Sequence, residues 1–355
     1  MAQKKHIVLT GGGTAGHVTP NLALLPRLRE AGFEVSYIGS VNGMERELVE
    51  KAGLPYTGIA TGKLRRYFDW KNFTDPFRVV KGFGQAYACL RRERPDVIFS
   101  KGGFVSVPVV LAASALKIPC ILHESDLTPG LANKLCFRSA SRICCNFPET
   151  LQYLPAGKAI LTGTPIRREL FEGSRSEGLA FCGFTGDKPV LLVMGGSLGA
   201  DSVNKAVRAH LPELLGTFDV VHLCGRGKMD ASLENTPGYK QFPYVSEELP
   251  HVFAAADIVV SRAGANAICE LLALRKPHVL VPLPTAGSRG DQLLNAASFE
   301  KRGFSRVVLD EEMDTQLVSA VMEVFGDRDT FISSMSQAPD SNAVDVIMGL
   351  IEELA

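Results

Sequence analysis

The chain has 355 residues, 46% hydrophobic and 21% charged, with Lys plus Arg and Asp plus Glu balanced at 38 each. These values exclude a disordered or collagen-like chain and any global field that would draw the protein to nucleic acid; preference for an anion or a membrane has to come from local clusters. At roughly 150 residues per domain, two domains are expected.

The eight cysteines are scattered, with no CxxC pair and no Cys/His zinc spacing, and read as buried small hydrophobes in a reducing compartment. Met1 to Leu9 holds too short an apolar run for a signal peptide, and Val107 to Leu116 falls short of the roughly 20 residues that span a bilayer. A cytoplasmic chain is expected.

In chain order, strand Ile7 to Thr10 leads through glycines to a helix near Asn21 to Ala31, closed by Gly32, and to strand Val35 to Ile38. Further strands are expected at Val97 to Ser100 and Cys120 to His123. The series restarts at Val190 to Met194 and continues with Val220 to Cys224, Ile258 to Ser261 and His278 to Pro282. This alternation predicts parallel sheets covered by helices. The stretch Thr162 to Lys188, rich in Gly, Ser and charge, reads as the hinge, and Asn342 to Leu354 as a last amphipathic helix that could cross back to the first domain.

Gly11, Gly13 and Gly16 satisfy GxGxxG after a strand, but Gly39 and Ser40 stand where a dinucleotide site needs an acid for the ribose. What survives is an anion cradle of backbone and helix start. His17 follows it and is the candidate general base; a histidine that merely caps the turn is the plainer alternative. His123, Glu124, Ser125 and Asp126 follow the strand ending at Leu122, with Glu124 either assisting proton transfer or orienting His17, or simply part of a capped polar loop. Lys101, Gly102 and Gly103 form a second cradle, so that Gly13, Gly102 and Gly103 suit an acceptor diphosphate.

In the second half, Gly195, Gly196 and Gly199 repeat the glycine turn. Ser261 to Ala265 lead into a helix bearing Asn266 and Glu270, where a carboxylate suits ribose hydroxyls; Asp291 and Gln292 open another helix and could hold sugar hydroxyls. From Lys63 to Phe83, Tyr67, Phe68, Trp70, Phe73, Phe77 and Phe83 interleave with Lys63, Arg65, Arg66, Lys71, Arg78 and Lys81. That pattern fits an anionic membrane surface, or core aromatics of a helix packed on the sheet.

Taken together, GGGTAGHVTPNLAL, KGGFVSVP, HESDLTPGLANK, GTPIR, GGSLGA and SRAGANAICE with DQLLNA, in this order through nearly the whole chain, resemble the lipid I N-acetylglucosaminyltransferase family. The resemblance implies a GT-B fold: two α/β Rossmann-like domains with parallel sheets facing across a cleft. Their expected bounds are 1–163 for the acceptor and membrane-facing domain, 164–340 for the UDP-sugar domain, and 341–355 for a helix returning to the first. It implies inverting transfer of N-acetylglucosamine from UDP-N-acetylglucosamine to the C4 hydroxyl of the lipid-linked muramyl pentapeptide, with no cofactor and no metal. The Asp327, Asp329 pair follows no strand and is assigned none. Also implied are a peripheral place on the cytoplasmic face of the membrane and other cell-wall synthesis proteins as partners.

Carried over residue by residue, the donor contacts look like Thr14, Ala15, Gly16, Arg167, Ser197, Val245 near the uracil, Ala265, Asn266, Ala267, Ile268, Cys269, Glu270 and Gln292, with His17 as base. Three positions depart from the common pattern: Asp126 replaces an Asn that contacts the donor, Thr164 stands in GTPIR for GNPVR, and Leu198 in GGSLGA for GGSQGA. The nearest rivals are a glycolipid synthase or a sugar epimerase of the same fold; an NAD oxidoreductase fits the first turn only, and a cofactor-free binding protein would not need His17.

Overall fold

The structure is a computed structural model that describes residues 4–62, 71–196, 198–285, 289–338 and 342–355. The chain forms two compact units, Met1–Arg167 with Ser341–Ala355, and Arg168–Asp340. The first carries a seven-stranded sheet: β1 His6–Thr10, β2 Glu34–Ser40, β3 Tyr56–Ile59, β4 Val97–Ser100, β5 Cys120–Glu124, β6 Arg142–Cys145 and β7 Ala159–Leu161. All neighbours pair in parallel, in the order β3-β2-β1-β4-β5-β6-β7. The second carries β8 Val190–Met194, β9 Asp219–Leu223, β10 Tyr239–Phe242, β11 Ile258–Ser261, β12 His278–Leu280 and β13 Arg306–Val307, parallel throughout in the order β10-β9-β8-β11-β12-β13.

Each central strand is buried on both faces, and its alternate residues feed two cores. In the first unit, Val8, Ile98 and Leu122 face one cluster while Ile7, Leu9, Val97, Phe99 and Ile121 face the other. The last helix, Ala343–Leu354, completes that second cluster with Ile347, Met348 and Ile351. Burying three such side chains contributes about 1.5–3 kcal/mol each. The surface pairs Arg27–Asp345 at 3.1 Å and Arg142–Glu353 at 2.7 Å add little beside that. Apolar packing, not charge, holds the chain's end to the first unit.

The strand order reverses direction between β1 and β4 in one sheet and between β8 and β11 in the other. Ligands of open parallel sheets bind beyond the carboxyl ends of the strands at such a reversal. The three glycine turns leave β1, β4 and β8, and the segment Ser261 to Ala265 leaves β11.

Local chemistry departs from the sequence reading in two places. The helix expected near Asn21 to Ala31 is two pieces, Thr19–Ala23 and Leu25–Glu30, because Pro26 has no amide to give the Leu22 carbonyl. The stretch Thr162 to Lys188 holds a helix, Arg175–Cys182, whose start is capped by the Ser174 hydroxyl accepting from the Glu177 amide.

The helix Ser106–Ala115 ends in a left-handed residue that is not glycine, Lys117 at φ 59°. Its amide donates to Ser114 and that of Ile118 to Ala113, the pairing that usually places glycine there. Lys117→Gly is expected to stabilise the fold by about 1 kcal/mol. A urea midpoint that stays put or falls would contradict this.

Candidate functional site

At the first reversal, β1 ends in Thr10, whose hydroxyl donates to the Ile38 carbonyl at 2.8 Å. The turn beyond packs too closely for side chains: a Cβ on Gly11 would stand 2.5 Å from the His17 carbonyl oxygen, and one on Gly103 would stand 2.5 Å from that of Gly12. The turns leaving β1 and β4 therefore meet backbone to backbone. Behind them, Asn21 donates to the Thr10 carbonyl and the Tyr37 hydroxyl, both at 3.1 Å, and Tyr37 donates to the Gly11 carbonyl at 2.8 Å. Burial pushes the Tyr37 hydroxyl far above its ordinary value, so it stays a neutral donor.

Glu45, fully buried, accepts from the Ser40 amide at 2.9 Å and hydroxyl, and from the Gly13 amide at 3.3 Å. The Gly13 amide, expected to serve a diphosphate, thus already has a partner inside the protein. What Gly13 offers is room: it sits at φ 89° with no atom within 4 Å of a Cβ position.

A cavity of about 820 Å³ opens there, lined by Gly13, Thr14, His17, Met44, Arg78 and Lys81 among others. His17 closes the short 3-10 turn Ala15–His17, and its Nδ1 lies 3.0 Å from the Thr14 hydroxyl. In the tautomer whose Nδ1–H donates to Thr14, the lone pair is on Nε2, as a base requires. Gly16 is partly exposed beside it.

At the β4 and β5 exits, Lys101 is 1% exposed, and its Nζ lies 2.7 Å from His123 Nδ1 and 3.2 Å from the Thr164 hydroxyl. His123 Nε2 donates to the Gly163 carbonyl at 2.8 Å, so Nδ1 accepts from the ammonium. Burial, then the Lys101 charge, hold this imidazole well below its ordinary value. The Glu124 carboxylate turns toward its own loop. Its oxygens accept from the Asp126 amide at 3.1 Å, the Gly130 amide at 3.0 Å and Asn133 Nδ2 at 2.8 Å, which shapes the loop carrying the half-exposed Asp126. Burial raises its carboxyl above the usual range, against the Asn133 bond. Arg167 ends the first unit with Nε buried and unbonded.

The second unit repeats the construction. A Cβ on Gly199 would stand 2.0 Å from the Cys224 carbonyl oxygen, so the turn leaving β8 lies against the exit of β9. Asn204 donates to that carbonyl at 2.9 Å and accepts from His222 Nε2 at 2.9 Å. Ser197 lies outside the described residues. Arg262, 8% exposed, joins four segments: it is paired with Asp310, donates to Ser202 at 2.7 Å, and reaches the Val281 and Pro282 carbonyls at 3.2 and 3.3 Å.

The helix Ala265–Ala273 starts just after Gly264 and brings Ala265, Asn266 and Ala267 into its first turn. The Ile268 side chain is fully buried, and its amide donates to the Gly264 carbonyl. Cys269 and Glu270 are part-exposed, and Val245 is 4% exposed. Gln292 Oε1 accepts from the Leu283 amide at 3.0 Å, tying the helix Asp291–Lys301 to the exit of β12.

The N-terminal domain of glycosyltransferase family 28 matches residues 7–145 and its C-terminal domain residues 190–350. A protein of Lachnoclostridium phytofermentans is 61% identical over 99% of both chains. It is named UDP-N-acetylglucosamine--N-acetylmuramyl-(pentapeptide) pyrophosphoryl-undecaprenol N-acetylglucosamine transferase. One of the same name from Lachnospira eligens is 60% identical over 98% of this chain and 99% of its own. The chain belongs to glycosyltransferase family 28. A crystal structure of Acinetobacter baumannii MurG superposes with TM-score 0.76 at 26% identity, covering 98% of this chain and 99% of that one. The fold is thus GT-B, two Rossmann-like units.

Within this family 28 chain, Thr164 stands where many members carry Asn and gives its hydroxyl to the buried Lys101 group. Leu198 is 78% exposed and does not pack behind its turn. Sequence reading missed Glu45, Asn21, Tyr37, Asn204 and Arg262. For Asn21 and Asn204 the usable signal was a polar residue on the apolar face of a helix that follows a glycine turn.

Burial depresses His222 to about 3 and His278 to about 4, and holds His123 well below its ordinary value. Unfolded imidazoles titrate near about 6.5. Below that the unfolded chain takes up protons that the folded rings refuse, so this stability is full above about pH 6.5 and falls toward pH 4. Glu124, shifted upward, contributes with the opposite sign. The urea midpoint should fall from pH 7 to pH 5, and by less in His278→Phe; equal slopes for the two proteins would contradict the assignment.

Proposed function

We propose that this chain moves N-acetylglucosamine from UDP-N-acetylglucosamine to the C4 hydroxyl of the muramyl sugar of undecaprenyl-diphosphate-linked lipid I, giving lipid II for peptidoglycan. The observation that carries this is the 61% identity, over 99% of both chains, to a protein named for that transfer. The first unit takes the acceptor and the second the UDP-sugar. His17 Nε2 accepts the hydroxyl proton as the oxygen bonds to C1 from the face opposite UDP, inverting that carbon. The C1–oxygen bond to the diphosphate breaks, and its electron pair leaves with UDP. Amides at the first turn of Ala265–Ala273 and in the turn leaving β8 oppose that charge, as preorganised donors do most effectively where water is excluded. Glu270 suits the ribose and Gln292 the donor sugar.

Among the described residues no helix is long and apolar enough to cross a membrane. The enzyme is proposed to sit peripherally on the cytoplasmic face, where its substrate's lipid is anchored. Of the basic and aromatic segment, residues 63–70 lie outside the described residues. Phe83 belongs to the core, where it packs 6.1 Å from Tyr87, so it is withdrawn from the membrane patch. Val80, 70% exposed, remains on the surface near Arg78 and Lys81.

Transfer of radiolabel from UDP-N-acetylglucosamine to a lipid I analogue tests the reaction; absence of product would end the reading. His17→Ala is expected to lower kcat about 100-fold to 10,000-fold with donor KM little changed, and a rate like that of the parent would remove the base assignment. In flotation with anionic vesicles, reversing the charges of Arg65, Arg66 and Lys71 should release the protein, whereas undiminished binding would remove the membrane patch.

A further inference from the structure

The cavity beside His17 has two cations in its lining, Arg78 and Lys81, both on the helix Lys71–Glu93. Three residues apart, they share one helix face. Sequence pattern places them with a membrane-facing segment; the structure places them on the wall that also presents Gly13, Thr14 and His17.

Their position is fixed from the next turn of the helix. A Cβ on Gly82 would stand 2.0 Å from the Ala60 carbonyl oxygen, so the absence of a side chain lets the helix lie against the exit of β3. Gln85 accepts from the Ala60 amide at 2.8 Å and pins the same contact. Among the described residues neither Arg78 nor Lys81 has a carboxylate partner. The buried carboxylate of Glu45 lies behind Gly12 and Gly13 and takes the Gly13 amide at 3.3 Å. The cavity is therefore polarised, with a buried carboxylate behind the glycine turn and two cations on the helix. A dianionic group is repelled from the first and drawn to the second.

We infer that Arg78 and Lys81 bind the diphosphate of the acceptor, a role earlier given to Gly13, Gly102 and Gly103, and so direct its sugar toward His17. This rests on the transfer reading above. It also divides the basic segment by task, with Arg78 and Lys81 serving the substrate rather than the lipid surface.

The test uses the full chain, UDP-N-acetylglucosamine and a short-chain, detergent-soluble acceptor, so that no membrane is present. A second acceptor carries an uncharged linker in place of the diphosphate. Arg78→Gln and Lys81→Gln should each raise KM for the diphosphate acceptor about tenfold and leave donor KM unchanged. Arg78→Lys should recover part of the loss, and the penalty should vanish with the uncharged acceptor, which a merely structural role would not produce. Unchanged acceptor KM in detergent with loss only on anionic vesicles would overturn the inference in favour of a lipid contact. A penalty of equal size with both acceptors, or a matching rise in donor KM, would overturn it as general damage. No transfer by the unaltered chain to the diphosphate acceptor would instead bring down the transfer reading, and this inference with it.

Discussion

The structure depends on close approach of bare backbone where glycine turns leave the ends of its strands. Gly103 lies on the Gly12 carbonyl in one unit and Gly199 on the Cys224 carbonyl in the other, at distances no Cβ could occupy. Adding one carbon at either place would force the turns apart. The lack of side chains also leaves amides and helix starts as the groups nearest a bound anion. Chemistry of this kind needs no residue with an unusual charge at the contact itself.

Bare backbone is mobile unless something holds it, and each unit holds its turn from behind with the same device. An asparagine on the helix after the first strand, Asn21 or Asn204, bonds a strand-end carbonyl and a ring on the neighbouring strand, Tyr37 or His222. Directional bonds between buried amides and rings favour a single arrangement of the groups they join. The charged members, Glu45 and Lys101, are buried, so the exposed surface of the turns is backbone and uncharged side chains. Glu124 shows the same division, since its carboxylate builds the loop that follows it.

The central strands were legible because strands buried on both faces read as unbroken apolar runs, and the turns because glycine marks them. Short edge strands were not. Tyr56–Ile59 contains Gly58, and Tyr239–Phe242 sets Lys240 and Gln241 side by side between its two aromatics, so neither rises above the surrounding sequence. The acid near the first turn was sought at the end of the second strand, whereas the chain supplies it from the start of the next helix, at Glu45. Glu124 and Gln292 stood out as polar residues at a strand end and a helix start, but which way their oxygens turn depends on how the next loop or helix folds back on them. Arg78 and Lys81 looked like headgroup ligands because a run of aromatics surrounds them. Only the seating of Gly82 on Ala60 reveals that this part of the helix lines a cavity.

Hydrogen exchange of the whole protein with and without UDP tests the central claim most directly. The account predicts slowed exchange in two separate stretches of the second unit, the turn at 195–200 and the helix start at 263–267, because their amides would hold the diphosphate. Binding of UDP that leaves both stretches exchanging at the unliganded rate, with protection elsewhere, would contradict it.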